Sequence, residues 1–169
     1  MRQKKRHKSD SFAKFLVWCL FGVLFLASPT GAAERGTVKP TAKDKCPVCG
    51  MFVAKYPDWI STILFKDGSR VFFDGPKDMF KYLLHMKRYN PSKKGEDIDY
   101  ISVTDYYTVS PIDARKAWYV LGSDVFGPMG KELIPMAKES DAKEFMKDHK
   151  GQRMFKFSEV TKEVTNSLD

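Results

Sequence analysis

Two stretches of this chain carry the same order of signals, and that repetition constrains the fold more than any other feature. Residues 59–65 alternate apolar with small or polar side chains in the manner of a strand. Lys66-Asp67-Gly68-Ser69 supplies hairpin-turn chemistry, and residues 70–73 are rich in β-formers. Asp74-Gly75-Pro76 then opens a helix as turn and capping chemistry, with Pro76 at the first helical position. Met79, Phe80, Leu83, Leu84 and Met86 give that helix an apolar face, and it ends before Asn90-Pro91. Strand, turn, strand and helix recur over residues 117–149, with Ser140 as the expected helix cap and Gly151 as the stop. Residues 100–107 and 154–157 read as the closing strand of each unit. The fold predicted is α+β: two linked β-β-α-β units with small mixed or antiparallel sheets and one main helix each. The first covers residues 46–105 and the second 106–160, and residues 161–169 read as a frayed tail.

The composition supports a packed core, with 43% hydrophobic and 14% aromatic residues. The formal charge of +8 looks at first like a nucleic-acid footprint. Residues 1–33 hold six Lys/Arg and one acid, a charge of +5, so the remaining chain carries only 8 − 5 = +3. That removes the basis for a nucleic-acid partner.

Those first residues have the layout of a leader. A basic stretch with Arg2, Lys4, Lys5, Arg6, Lys8 and Lys14 precedes thirteen uninterrupted apolar residues, 15–27. That run is short for a membrane span of about 20 residues and suits a secretory signal peptide. Gly31-Ala32-Ala33 offers small residues for cleavage before Glu34, and the absence of a twin arginine points to the Sec route. Residues 1–33 are therefore read as a signal peptide and 34–45 as a flexible lead-in; a membrane tether follows only if the leader is uncleaved. In an exported, oxidising setting, the two cysteines left in the mature chain could pair.

Those two cysteines stand in the most reactive stretch of the chain, Cys46-Pro47-Val48-Cys49-Gly50-Met51. Two thiols and a thioether within six residues are the soft donors that favour Cu(I), and sulfur also suits zinc and iron–sulfur centres. Gly50 tolerates positive φ, which lets the chain fold back so that Cys49 and Met51 face one point. A thioredoxin-like oxidoreductase is the first alternative, but its CxxC follows a strand and opens a helix, whereas few residues precede Cys46 and Pro57 soon interrupts. A structural zinc site is the second, drawing on Cys46, Cys49, His85 and His149 at unfamiliar spacings. His85 and His149 both lie near expected helix C-termini, where the dipole suits them. Met79, Met86, Met136, Met146 and Met154 fall at core positions. Met129 sits between Pro128 and Gly130 in a turn-rich loop, and reads either as a loop anchor or as a thioether closing the site from the second unit. Tyr106, Tyr107 and Trp59 read either as core or as an aromatic docking surface. No catalytic triad, paired-carboxylate, phosphate-loop or dinucleotide signature is present, which favours binding and delivery over catalysis.

In order along the chain, C-P-V-C-G-M-F-V-A-K-Y-P-D-W at 46–59, D-Y-Y-T at 105–108 and G-P-M-G at 127–130 resemble the NosL family. These are nitrous oxide reductase accessory proteins regarded as periplasmic Cu(I)-binding metallochaperones, and the resemblance spans residues 44–160. It implies the same α+β architecture, a periplasmic location, and Cys49 and Met51 as primary Cu(I) ligands. Cys46 enters as an extra thiolate or as a resolving thiol. The implied partners are the copper assembly machinery and apo nitrous oxide reductase or a similar copper enzyme. Many family members are lipoproteins whose lipidated Cys follows small residues at the end of the apolar run; Cys19 lies inside that run, between Trp18 and Leu20, so a soluble exported form is expected.

Overall fold

A computed structural model of the chain describes residues 38–169. The expectations for the leader, its cleavage and Cys19 lie outside the described residues. Two 3-10 turns, Val53–Lys55 and Pro57–Trp59, lead into β1 (Ser61–Phe65) and β2 (Arg70–Phe73). Strand β1 is central, paired antiparallel with β2 on one side and with β3 (Ile98–Thr104) on the other. Strand β4 (Pro111–Asp113) joins the outer edge of β3, giving the order β2-β1-β3-β4. Helices α1 (Pro76–Leu84) and α2 (Met86–Tyr89) connect β2 to β3.

The second half repeats that plan. Strand β5 (Trp118–Leu121) is central, between β8 (Ile134–Met136) and β9 (Arg153–Lys156), both antiparallel to it. Helix α3 (Glu139–Asp148) connects β8 to β9. In both halves the first strand lies between the second strand and the strand after the helix. A two-residue-per-strand hairpin, β6 (Phe126–Gly127) and β7 (Gly130–Lys131), is inserted between β5 and β8. Helix α4 (Lys162–Asn166) closes the chain. The fold class is α+β. Among the described residues, no helix is long and apolar enough to cross a membrane.

The main core runs through both halves. Ile63, Phe65, Phe73, Met79, Phe80, Tyr82 and Ile101 from the first half pack with Tyr119, Leu133 and Phe155 from the second. Phe80 meets Tyr119 edge-on at 5.0 Å between ring centroids. Each such fully buried side chain contributes about 1.5–3 kcal/mol relative to an exposed one. A smaller cluster of Val120, Ile134, Met136, Ala142 and Phe145 lies under α3, and Trp59, Tyr106, Met146 and Met154 pack on it. Trp59 and Tyr106 are thus packing residues of the second half.

Four local expectations are corrected. The first helix breaks at His85, whose backbone (φ −131°, ψ 34°) separates α1 from α2. Ser140 lies inside α3 behind its N-cap Lys138, and its hydroxyl bonds to Asp141. Residues 162–166 form a helix where a frayed tail was expected, because Val160, Val164 and Leu168 recur every fourth residue and are buried. Strand β3 ends at Thr104, short of Tyr106 and Tyr107. Buried Asp105 draws the chain into a turn by accepting from Tyr107 N–H, Thr108 N–H and the Thr108 hydroxyl. Its other oxygen accepts from Ala137 N–H at 2.7 Å, and Tyr106 N–H donates to Pro135 O, so this turn ties the first half to β8.

Glu132, just after β7, turns inward to the start of α1. Its Oε1 accepts from Lys77 N–H at 2.6 Å and from Leu133 N–H at 2.8 Å, so it satisfies one of the N–H groups that a helix N-terminus leaves unpaired. Gly75 makes room for it: a Cβ there would lie 2.2 Å from Glu132 Oε2. Burial pushes the Glu132 carboxyl up to about 8, against the partial relief of those N–H bonds. With a folded value above the unfolded one of 4.5, its stabilising contribution is complete below about 4.5 and lost as pH rises through about 8. Urea denaturation should therefore show stability falling from pH 5 to 9 by a few kcal/mol more in the unaltered protein than in Glu132→Gln. Parallel pH profiles would contradict this assignment.

Candidate metal centre

The thiol-bearing segment folds on itself through its backbone. Cys46 N–H donates to Met51 O and Gly50 N–H to Cys46 O, both at 2.9 Å, while Lys45 and Phe52 form an isolated antiparallel bridge outside them. The reversal passes through Gly50 at φ +81°, a conformation that costs a glycine little. Cys46 is buried within the main core, Cys49 is partly exposed, and both are free thiols.

Two carboxylates from the start of α1 meet these thiols. Cys46 Sγ donates to Asp78 Oδ2 at 3.2 Å; Cys49 Sγ lies 3.2 and 3.4 Å from the two Asp74 oxygens. Asp74 is 1% exposed and Asp78 4%. Gly75, the N-cap of α1, has no side chain to cap with, and the Lys77 N–H is taken by Glu132, so Asp74 serves Cys49 instead of the expected helix-capping role. One ligand atom from each of Cys46, Cys49, Asp74 and Asp78 lies within 4.8 Å of all the others. That spacing lets one ion reach a mixed donor set, soft at sulfur and hard at oxygen.

Burial raises both thiols. Cys46 is driven far above its ordinary range, first by desolvation and further by the Asp78 charge. Cys49 is pushed up to about 12 by desolvation, with Asp78 and Asp74 adding to the effect. Backbone N–H groups act the other way: those of Cys49 and Val48 on the Cys46 sulfur and that of Met51 on the Cys49 sulfur. The pocket thus keeps protonated thiols on carboxylate acceptors while holding N–H donors ready for a thiolate. Thiolate formation on metal binding would release protons, so apparent affinity would rise with pH.

Of the four expected ligands, Cys46 and Cys49 come together. Met51 belongs to the same turn and is half-buried. Met129 lies at the tip of the β6–β7 hairpin, 46% exposed, and its carbonyl accepts from Lys77 Nζ at 3.1 Å. His149 instead stacks on Phe145 and bonds to Asp124. Asp74 and Asp78 are what reading the sequence alone missed. The available signal was a pair of acids four residues apart across a helix start, one preceding Gly-Pro.

The class defined by this geometry is a small α+β protein with a thiol–carboxylate centre able to hold a metal. The NosL family model matches residues 37–165, and the chain belongs to that family. It is 28% identical over 153 residues to the copper-binding lipoprotein NosL of Stutzerimonas stutzeri, covering 83% of this chain and 78% of that one. The crystal structure of the copper chaperone NosL from Shewanella denitrificans shares the fold, with a TM-score of 0.62 at 24% identity, over 75% of this chain and 96% of that one. The solution structure of apo-NosL from Achromobacter cycloclastes is 25% identical, with a TM-score of 0.41 over 62% of this chain and 87% of that one.

Thiol reactivity reports on the carboxylates. Metal-free protein should alkylate slowly at pH 7, Cys49 before Cys46. Asp74→Asn should speed Cys49 modification, since each unit by which its pKa falls raises the thiolate fraction about tenfold. Mass-resolved iodoacetamide kinetics provide the check; an unchanged Cys49 rate in Asp74→Asn would contradict the assigned contact.

Proposed function

We propose that this protein is an exported, periplasmic Cu(I)-binding metallochaperone that delivers copper for maturation of nitrous oxide reductase or a related copper enzyme. Cys49 thiolate and Met51 thioether are the primary ligands, with Cys46 and Met129 assisting. The observation that carries this reading is the Cys49-Gly50-Met51 reversal, which sets a partly exposed thiol and a half-buried thioether on one turn. Copper is the cargo. An incoming partner donor displaces one sulfur at a time, so transfer never passes through a bare ion. Membership of the NosL family, together with relatives named copper-binding and copper chaperone, supports the choice of metal. The partners proposed are the copper assembly machinery and the apo-enzyme. The curated relative is named a lipoprotein, which supports export; for this chain the position of Cys19 favours a form without lipid.

The alternative, a thiol–disulfide oxidoreductase, fits the geometry poorly. Such enzymes depress the pKa of an attacking, accessible thiol, whereas here both thiols are raised and Cys46 is buried. The zinc reading through His85 and His149 loses its ligands, because the cluster gathers carboxylates and no histidine.

Anaerobic titration of reduced protein against a competing Cu(I) chelator is expected to give one Cu(I) per chain. Met51→Leu keeps volume and should cost less than about 1.5 kcal/mol in stability. Its Cu(I) affinity should fall at least about tenfold, the loss of about 1.4 kcal/mol of binding, while thiol–disulfide exchange is unchanged. Full Cu(I) affinity in Met51→Leu, combined with disulfide reductase activity abolished by Cys46→Ser, would replace the copper reading with the redox one.

A further inference from the structure

The Met129 hairpin is too small to fix its own position. It pairs Phe126 with Lys131 and Gly127 with Gly130, and nothing more, around the turn Pro128-Met129. Isolated two-stranded hairpins are marginal even when longer. Phe126 and Met129 at this hairpin are both exposed, so burial of its own side chains does not seat it.

We infer that Lys77 and Glu132 are positioning residues that latch this hairpin to the first turn of α1 and thereby set how the Met129 thioether meets metal held by Cys49 and Met51. The inference rests on the copper reading above, with Met129 as a ligand. Lys77 is 4% exposed, and its Nζ donates to Met129 O at 3.1 Å and Leu168 O at 3.4 Å. Removing an ammonium from water is costly unless its donors are satisfied; here backbone carbonyls from the hairpin tip and the C-terminus satisfy two of them. Glu132 follows β7 directly and bonds the Lys77 N–H, so the tip and the base of the hairpin are held by one residue. Two glycines make the seat: a Cβ on Gly75 would meet Glu132 Oε2, and one on Gly127 would lie 3.1 Å from Glu132 Cβ. The next residue of α1 is Asp78, bonded to Cys46. Consecutive residues of one helical turn thus hold the Met129 backbone, through Lys77, and the Cys46 thiol, through Asp78.

The experiment labels methionine ε-methyl groups with ¹³C in the exported protein and follows their NMR signals during anaerobic Cu(I) addition. In the unaltered protein, the Met51 and Met129 signals should both move and stop moving at one equivalent. In Lys77→Leu the Met129 shift should be lost while the Met51 shift persists. Should Lys77→Leu fail to fold, Gly127→Ala keeps the Lys77 charge and presses the hairpin away from Glu132, and should shrink the Met129 shift in the same way. A full Met129 shift in the folded variant overturns the latch, and so does a Met129 signal that never responds in the unaltered protein. If Met129 responds and loses its response in the variants while Met51 is silent throughout, the latch stands and the Met51 ligand assignment falls.

Discussion

The first turn of α1 is where this protein is held together around its chemistry. A helix begins with N–H groups that have no intrahelical partner and with the positive end of its dipole, so it attracts acceptors and negative charge. Glu132 takes the N–H of Lys77, and Asp74 and Asp78 flank the same turn, almost wholly buried. Those two carboxylates in turn accept the thiol protons of Cys49 and Cys46. The loop at 46–51 has little structure of its own beyond two backbone bonds and a glycine reversal. It meets α1 through Asp74 and Asp78, as the hairpin bearing Met129 meets α1 through Lys77 and Glu132.

This dependence shapes what the centre can do. In the metal-free protein each thiol has a carboxylate acceptor and a raised pKa, a setting that disfavours the reactive thiolate. In the proposed copper cycle, loading exchanges a thiol proton for a soft cation, and the backbone N–H groups already aimed at both sulfurs then face thiolates. Cys46 is sealed in the core whereas Cys49 is reachable, so a partner's donor meets Cys49 first. In that proposed cycle the thioether ligands, Met51 and Met129, would yield one bond at a time, because thioethers carry no charge to be separated.

Much of the fold was legible in the sequence. Alternating apolar residues, the turn at 66–69 and the Gly75-Pro76 helix start are local signals, and β1, β2 and α1 follow them closely. The recurrence of strand, strand, helix and strand in both halves also follows from those signals, whereas the central place of each first strand is set by tertiary pairing. Where the reading failed, tertiary contacts decided. The turn at Asp105 depends on a carboxylate that also reaches Ala137, 32 residues away. Helix α4 carried an apolar residue at every fourth position, but its polar composition disguised them. At the site, the thiols stood out because two cysteines and a methionine in six residues are rare. Asp74 and Asp78 did not, because an acid near Gly-Pro looks like ordinary turn chemistry. Only folding across separations of 25 and 32 residues turns them toward Cys49 and Cys46.

Of the mixed donor set within reach of one ion, the proposed copper site uses sulfur alone, with Asp74 and Asp78 serving the thiols and not the metal. X-ray absorption at the copper edge, on protein loaded anaerobically with one equivalent of Cu(I), addresses this directly. The expected result is a monovalent edge and a first coordination shell of sulfur only, unchanged in Asp74→Asn and Asp78→Asn. A shell containing oxygen or nitrogen donors that disappear in either Asn variant would contradict it.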